Sequence, residues 1–272
     1  VIPPNILLTT PESLALLMSY PEAPSIFSSL KRIIVDEIHA ITESKRGDQL
    51  FLAISNIRKY CLDAKIIGLS ATVNDPSIIA GWLAPANDCD IILSDPGLIP
   101  EISILKTSEP PPWAGAGGLY SIPEIITEIE THKTTLIFHN TRAQAEIFFH
   151  NLWLANSKNL PIAIHHGSLD KEQRNQVETA MVRGELRAVV CTGSLDLGID
   201  WGSVDLVIQI GAPRQVKRLI QRIGRANHSH SGASKALIVP ANRLEVLECF
   251  MALDAIYENK LDSEVQTQIP LD

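Results

Sequence analysis

The chain has 272 residues, of which 45% are apolar, and a formal net charge of −8 from 23 basic and 31 acidic side chains. Such a length and apolar share are ordinary for one large or two medium-sized globular domains. The acidic balance excludes a generic basic nucleic-acid binder, because the overall field repels polyanions and any such partner needs local donors. No apolar run approaches the ~18 residues of a membrane span, and no signal peptide is visible.

The four cysteines lie far apart and form no C-x-x-C pair or metal-binding spacing: Cys61, Cys89, Cys191 and Cys249. This usage favours reduced, mostly buried thiols and a cytoplasmic location. The chain opens with Val1 in an apolar segment, and we expect it to be a piece of a longer protein.

The first predicted elements are a brief strand at residues 6–8 and a helix that begins directly after it. Thr10 is a natural N-cap, and Pro11 suits the first helical position. The free N–H groups of such a helix start can bind a phosphate, although a well-capped helix alone also explains the pattern.

Residues 31–40 read K-R-I-I-V-D-E-I-H-A and predict a short buried strand at 33–35, followed by two carboxylates. An apolar run of this kind suits a parallel strand covered by helices, and ligands bind outside the carboxyl ends of such strands. Asp36 can hold Mg²⁺ there, and Glu37 can activate an attacking water. Read alone, such a pair is more often a solvated acidic strand end.

Further elements alternate up to the middle of the chain. The polar S-K-R-G stretch within residues 41–48 predicts a loop whose two cations meet a backbone phosphate or are solvated. The remaining predictions here are helices at 48–61 and 77–83 and strands at 65–69, 91–93 and 102–105.

Residues 109–118 read E-P-P-P-W-A-G-A-G-G and are the most linker-like stretch of the chain. Proline and glycine there resist both helix and sheet, so we place a domain junction between residues 94 and 118. The predicted domains are residues 1–96 and 97–240, with a C-terminal helix and tail at 241–272.

A second strand–helix series follows the linker. Strands alternating with helices indicate parallel sheets with right-handed crossovers, and hence an α/β fold. The predicted strands are 134–139, 162–164, 187–191, 204–210 and 236–239, and the helices are 122–132, 143–153, 169–182, 216–223 and 244–258.

The motifs occur in a fixed order: T-T-P-E-S, D-E-I-H, S-A-T, the linker, I-F-H-N-T-R, H-H-G-S-L, T-G-S-L-D-L-G-I-D and Q-R-I-G-R. This series resembles the superfamily 2 helicases of the DExH type, and more narrowly the large helicase-related (Lhr) family in its bacterial core, ligase-associated form. The resemblance implies two RecA-like parallel-sheet domains around ATP and Mg²⁺, the first incomplete at its N-terminus. It implies an ATP-driven helicase that moves 3′ to 5′ on single-stranded DNA in repair.

The same resemblance implies catalytic roles for the D-E-I-H motif. Asp36 holds the Mg²⁺ on the β- and γ-phosphates, and Glu37 activates water for in-line attack. His39 contacts Gln221 of the second domain, so that each domain senses the nucleotide state of the other.

Further roles are implied at other strand ends. Ser70 and Thr72 couple hydrolysis to domain closure, while Gly198 and Asp200 lie at the nucleotide. Arg225 reaches the γ-phosphate, and an arginine placed in this way contributes about 10³–10⁵ in rate in other NTPases.

For the nucleic acid, the resemblance implies that Thr10, Pro11, Arg142 and Thr192 contact backbone phosphates. Backbone contacts position a strand without reading its sequence, so DNA is favoured only by the resemblance and RNA stays open. DNA-repair ligase and nuclease partners are implied in the same way, and no membrane partner is expected.

The histidines do not predict a zinc site. We expect His165 and His166 to pack loops rather than bind a ligand. His228 and His230 are spaced like a metal pair, but no cysteine or carboxylate stands at ligand spacing beside them.

Two departures from the family pattern are visible. The phosphate loop G-x-x-x-x-G-K-[ST] does not occur in the sequence, and we expect this chain by itself not to hydrolyse ATP at a useful rate. Near the last motif, Asn227 and Ser229 replace an expected glycine and arginine, which leaves the catalytic arginine open between Arg222 and Arg225.

Two interpretations therefore stay open: the partial motor of a helicase, or a truncated or degenerate module that binds nucleic acid or a partner without catalysis. For either one, a first domain without its leading elements exposes a strand edge and an apolar face. We expect marginal stability or self-association of that domain.

Overall fold

The computed structural model describes residues 4–42, 44–70, 73, 75–84, 89–94, 98–115, 117–196, 204–226, 233–258, 260 and 262. The chain divides into two compact units. The described residues up to 94 form the first unit, and those from 98 to 262 form the second.

The first unit is built on a pair of parallel strands, β1 (Arg32–Val35) and β2 (Lys65–Gly68). Leu14, Phe27, Val35, Ile38 and Ile57 lie in its core and are each at most 7% exposed. The helices of this unit are α1 (Pro11–Met18), α2 (Ala23–Phe27), α3 (Ile38–Ile41), α4 (Lys45–Arg58) and α5 (Pro76–Leu83).

The S-K-R-G stretch begins a helix, so the prediction of a loop was wrong for residues 45–48. Ser44 caps α4 by accepting a hydrogen bond from the Gly47 N–H at 3.3 Å. Glycine is required at position 47 because a Cβ there would overlap the carbonyl oxygen of Ile41. The polar composition of the stretch is thus that of a helix start.

Two predicted strands are absent from the described part of the first unit. Residues 6–8 and 91–93 are not in any strand ladder. Ile6, Leu8 and Ile92 are 87%, 96% and 93% exposed. A short apolar run becomes a strand only where a neighbouring strand accepts its hydrogen bonds, and neither run has one there.

The second unit contains six strands in the order β3-β8-β7-β4-β6-β5, and every neighbouring pair is parallel. This sheet confirms the predicted α/β class with parallel strands. The strands are β3 (Glu101–Ile104), β4 (Thr134–Phe138), β5 (Ile162–His165), β6 (Ala188–Cys191), β7 (Val204–Ile210) and β8 (Lys235–Val239).

Apolar cores cover both faces of the six-stranded sheet. Every residue of β4 and β6 is buried, as expected of central parallel strands covered by helices. The helices of this unit are α6 (Ile122–Thr131), α7 (Arg142–Ala155), α8 (Lys171–Val182), α9 (Val216–Ile223) and α10 (Glu245–Tyr257).

The helix expected to lead out of the second domain packs within it. Cys249 and Leu253 of α10 belong to the same core cluster as Ile102 of β3. The hydroxyl of Tyr257 also donates a 3.0 Å hydrogen bond to the Ile102 carbonyl oxygen. α10 is therefore a structural part of the second unit.

Candidate functional site

The acidic motif of the first unit lies directly beyond the carboxyl end of β1. The Leu69 N–H donates to the Val35 carbonyl oxygen at 2.9 Å, and the Ile38 N–H donates to the Leu69 carbonyl oxygen at 3.0 Å. These two bonds continue the strand pairing past the ends of β1 and β2. They fix the turn that carries Asp36 and Glu37.

Glu37 has an unusual backbone conformation, with φ of 49° and ψ of 42°. The left-handed region is uncommon for residues other than glycine, and such residues cluster at functional sites. The Asp36 Oδ1 atom accepts a 2.9 Å hydrogen bond from the Glu37 N–H and so stabilises this turn. The turn presents two neighbouring carboxylates at the end of one strand.

His39 contacts two other residues singled out in the sequence. Its ring is buried, its Nδ1 lies 3.1 Å from the Ser70 Oγ, and its Nε2 lies 3.4 Å from the Glu37 Oε2. Ser70 follows β2, so the histidine connects the ends of both strands. Glu37, His39 and Ser70 therefore form one cluster at the carboxyl edge of the sheet.

The start of α1 has the geometry that its sequence predicts. The Thr10 Oγ1 accepts a 3.3 Å hydrogen bond from the Ser13 N–H, and Pro11 is the first helical residue. Glu12 forms a 2.5 Å ion pair with Arg46 of α4. The Arg46 guanidinium lowers the pKa of Glu12 to about 2, so this cation of the S-K-R-G stretch is paired within its own unit.

Arg142 begins α7 at the carboxyl end of β4, behind the N-cap Thr141. Its Nε donates a 2.8 Å hydrogen bond to the Glu146 Oε1, and Glu146 also lies 3.2 Å from the His166 Nε2. The Arg142 guanidinium, with the nearby histidine, lowers the pKa of Glu146. Arg142 is thus exposed at a helix start, with its charge offset by a carboxylate one turn away.

The loop after β6 begins with Thr192 and contacts a buried histidine. The His165 Nδ1 lies 2.8 Å from the Ser194 Oγ, and its Nε2 lies 3.1 Å from the Glu178 Oε1. Burial lowers the pKa of His165, against the effect of Glu178. His165 therefore packs and positions a loop, as the sequence predicted.

Arg222, one of the two candidate catalytic arginines, is buried in the second unit. It is 4% exposed, its Nε donates to the Asp196 Oδ1 at 2.8 Å, and its Nη1 donates to the Gln209 Oε1 at 2.6 Å. Its guanidinium carbon also lies 4.7 Å from the centroid of the Phe138 ring. The Arg222 guanidinium is thus held by partners of its own unit.

Three residues of this network were missed in the sequence: Asp196, Gln209 and Arg218. The Arg218 Nε donates to the second oxygen of Asp196, and a Cβ at Gly193 would overlap the Arg218 guanidinium. Two features of the sequence could have indicated this network. Asp196 lies within the T-G-S-L-D motif, and Arg218 lies one helical turn before Arg222.

The other predicted residues of the last motif lie on or just after α9. Gln221 is partly buried within the helix, and Arg225 follows it, also partly buried, with its N–H bonded to the Arg222 carbonyl oxygen at 3.0 Å. Thr72, Gly198 and Asp200 lie outside the residues that the structure describes.

Within the described ranges, no group of three or more His, Cys, Asp or Glu side chains is arranged to hold a metal ion. The His228–His230 pair lies outside those ranges. Asp36 by itself fits Mg²⁺, because its carboxylate is exposed at a strand end and this ion is held through one or two carboxylates plus substrate phosphates.

Comparison with known proteins agrees with this geometry. Residues 2–79 match the family described as DEAD/DEAH box helicase, and residues 119–229 match the helicase conserved C-terminal domain. The chain belongs to the DEAD/DEAH box helicases. The two matches fall on either side of the proline- and glycine-rich stretch.

The relatives of this helicase chain include Lhr proteins. It is 39% identical over 285 residues to ATP-dependent helicase Lhr-Core protein 2 of Thermococcus barophilus, covering 99% of this chain and 32% of that protein. It is 37% identical over 275 residues to ATP-dependent helicase Lhr-Core of Methanothermobacter thermautotrophicus, covering 96% of this chain and 31% of that protein.

A solved structure of Mycobacterium smegmatis helicase Lhr bound to ssDNA and AMP-PNP superposes with a TM-score of 0.86 at 33% identity. The match covers 97% of this chain and 35% of that one, so the chain spans about a third of the length of the relatives named here. No helix within the described residues is long and apolar enough to cross a membrane.

Proposed function

We propose that this chain is the motor part of an ATP-dependent helicase that moves 3′ to 5′ along single-stranded DNA and acts in DNA repair. The observation that carries the proposal is the Glu37–His39–Ser70 cluster beyond the paired ends of β1 and β2. The Mycobacterium smegmatis relative that was solved with ssDNA and AMP-PNP supports both ligand classes.

In this proposal Asp36 binds the Mg²⁺ that accompanies ATP, and the ion neutralises charge on the phosphates. Glu37 orients and deprotonates the attacking water, for which its half-buried position at a strand end is suited. The His39 ring contacts the Glu37 carboxylate through Nε2 and the Ser70 hydroxyl through Nδ1. The two strand ends therefore respond together to the state of the nucleotide.

In the second unit, Arg225 is proposed as the arginine that reaches the γ-phosphate, with Gly198 and Asp200 beside the nucleotide. Arg222 is left out of this role because Asp196 and Gln209 enclose it. Its function is to fix α9, which contains Gln221 and is followed by Arg225.

For the strand, we propose phosphate contacts from the helix start at Thr10 and Pro11 and from Arg142 and Thr192. Arg142 is exposed, and Thr192 opens a loop that His165 and Ser194 hold in place. A few local donors of this kind let a protein with a net charge of −8 bind a polyanion.

A single-stranded-DNA-stimulated ATPase assay tests the proposal on the 272-residue chain and on the chain extended upstream to include a phosphate loop. We expect activity only in the extended chain, because the 272 residues contain no G-x-x-x-x-G-K-[ST] loop. We expect Glu37→Gln to lower kcat at least ~100-fold, since general-base catalysis contributes about 10²–10⁴. The exposed acid variant Glu22→Gln is the matched control.

The second candidate is a degenerate module that binds nucleic acid without catalysis, which the altered residues Asn227 and Ser229 favour. Salt-sensitive DNA binding without ATPase in either chain would select it. Duplexes with 3′ or 5′ single-stranded tails test the direction of unwinding, and RNA tails test the choice of strand. Co-purification with a DNA ligase or nuclease tests the repair partners.

A further inference from the structure

The Pro-rich stretch between β3 and β4 is fastened within the second unit by one arginine. The Arg243 N–H donates to the Pro112 carbonyl oxygen at 2.9 Å, and its Nε donates to the Pro111 carbonyl oxygen at 2.9 Å. The guanidinium carbon then lies 4.4 Å from the centroid of the Trp113 ring. Arg243 thus fixes both the backbone before Trp113 and one face of its ring.

Trp113 stays open to solvent in spite of this contact. Trp113 is 72% exposed, although the Arg243 guanidinium covers one face of its ring. Trp153 gives a useful contrast, because it is 57% exposed but its ring packs against Phe149 of the same helix at a centroid distance of 6.0 Å. The ring of Trp113 is instead held by a cation.

The tryptophan lies near the edge of the sheet where ligands of α/β proteins bind. Arg243 follows the carboxyl end of β8 by four residues. Gly118, five residues after Trp113 and with φ of 66°, packs directly against Ile210 and Val239, which end β7 and β8. Ligands in open parallel sheets occupy the space outside these strand ends.

We infer that Trp113 and Arg243 form a stacking platform for a nucleobase. An exposed indole ring binds any base through its π face, and such stacking contributes ~1–3 kcal/mol per base by alanine substitution. The guanidinium behind the ring holds it in place and adds positive charge near a ligand that carries phosphates. The base would belong either to ATP or to a nucleic-acid strand. Both are ligands of the proposed function, so the inference rests on that function.

Tryptophan fluorescence tests the platform in the 272-residue chain. Fluorescence quenching that is seen in wild type but not in Trp113→Phe comes from Trp113. The phenylalanine in this variant keeps an aromatic face on which a base can stack. Each base-carrying ligand is compared with a partner that lacks the base. ATP is compared with tripolyphosphate, and a single-stranded oligothymidylate is compared with an abasic strand of equal length. We expect quenching by at least one base-carrying ligand and none by its base-free partner.

Binding constants give the second readout. We expect Trp113→Ala to weaken binding of the quenching ligand about 5- to 150-fold, the range that corresponds to the stacking free energy. We expect Trp113→Phe to stay within about threefold of wild type, and Trp153→Ala to bind as wild type does. Arg243→Ala should lower affinity and also reduce the difference between the base-carrying and base-free ligands.

The outcomes separate the platform from the proposed function. Wild type that does not bind the strand would contradict the proposed function itself. Wild type that binds the strand, with or without ATP binding, but with Trp113→Ala unchanged or with equal quenching by base-free ligands, would overturn the platform alone. Quenching by ATP only assigns the nucleotide as the source of the base, and quenching by the oligonucleotide only assigns the strand.

Discussion

At the scale of single residues, the second unit contains a buried histidine side chain at the end of its central strand. His139 is 1% exposed directly after β4, and neither ring nitrogen has a hydrogen-bond partner among the described residues. The ring packs against Phe148 at a centroid distance of 4.8 Å. Burial, with the nearby Arg222 charge, lowers the pKa of His139 to about 3. The histidine is therefore neutral in the folded protein at any ordinary pH.

This pKa predicts an acid-sensitive second unit. Between pH 3 and pH 6.5 the unfolded chain binds a proton at His139 and the folded chain does not, so stability rises with pH in that window and is lost as pH falls. From pH 7 to pH 5 we expect this residue to remove ~2 kcal/mol from the free energy of unfolding. Denaturant titrations of wild type and His139→Leu at both pH values measure the difference.

His139→Leu should lose less stability on acidification than wild type, whatever its stability at pH 7. The exposed His150→Gln variant controls for a general effect of removing a histidine. Equal losses in wild type and His139→Leu would show that His139 does not carry the acid sensitivity.

At the scale of elements, the central strands of the second unit were predictable because β4 and β6 are largely apolar and buried along their whole length, whereas the edge strand β3 alternates exposed and more buried residues. All its strands were predicted to within two residues, and the polar motifs follow their carboxyl ends as expected. The clustering of Glu37, His39 and Ser70 also follows, because the ends of neighbouring parallel strands meet at one edge.

Other features depend on partners that are distant in the chain. The apolar runs at 6–8 and 91–93 have strand composition but no strand to pair with among the described residues. The charge of Arg222 suggested a role at a phosphate, while its burial against Asp196 and Gln209 is set by tertiary packing. Local sequence patterns contain no information about such pairings.

The start of α4 leads to a stability prediction. Gly47→Ala should lower the stability of the first unit by about 1–3 kcal/mol, because the added methyl group overlaps the carbonyl oxygen of Ile41 and the backbone must shift. Gly81→Ala in α5 is the matched control: its Cβ meets nothing within 4 Å, and we expect a gain of ~0.5–1 kcal/mol. Chemical denaturation of the three proteins measures both changes, and a neutral Gly47→Ala would contradict the steric account.

At the scale of the whole molecule, the two units differ in how completely their sheets are covered. Ile34 and Ile67 are paired across β1 and β2 and are 60% and 39% exposed, on the same face of that sheet. In the second unit, Leu136, Ile137 and Phe138 of β4 are fully buried. An exposed apolar strand pair contributes little burial and invites association.

We therefore predict that the chain unfolds in two steps, with the first unit opening before the second. Hydrogen exchange at increasing denaturant should release amides of β1 and β2 at lower concentrations than those of β4 and β7, because less apolar surface is buried around the first pair. Repeating the measurement at a tenfold higher protein concentration tests self-association, which would raise the protection of β1 and β2 alone. Simultaneous release of all four strands would show instead that the two units unfold as one cooperative structure.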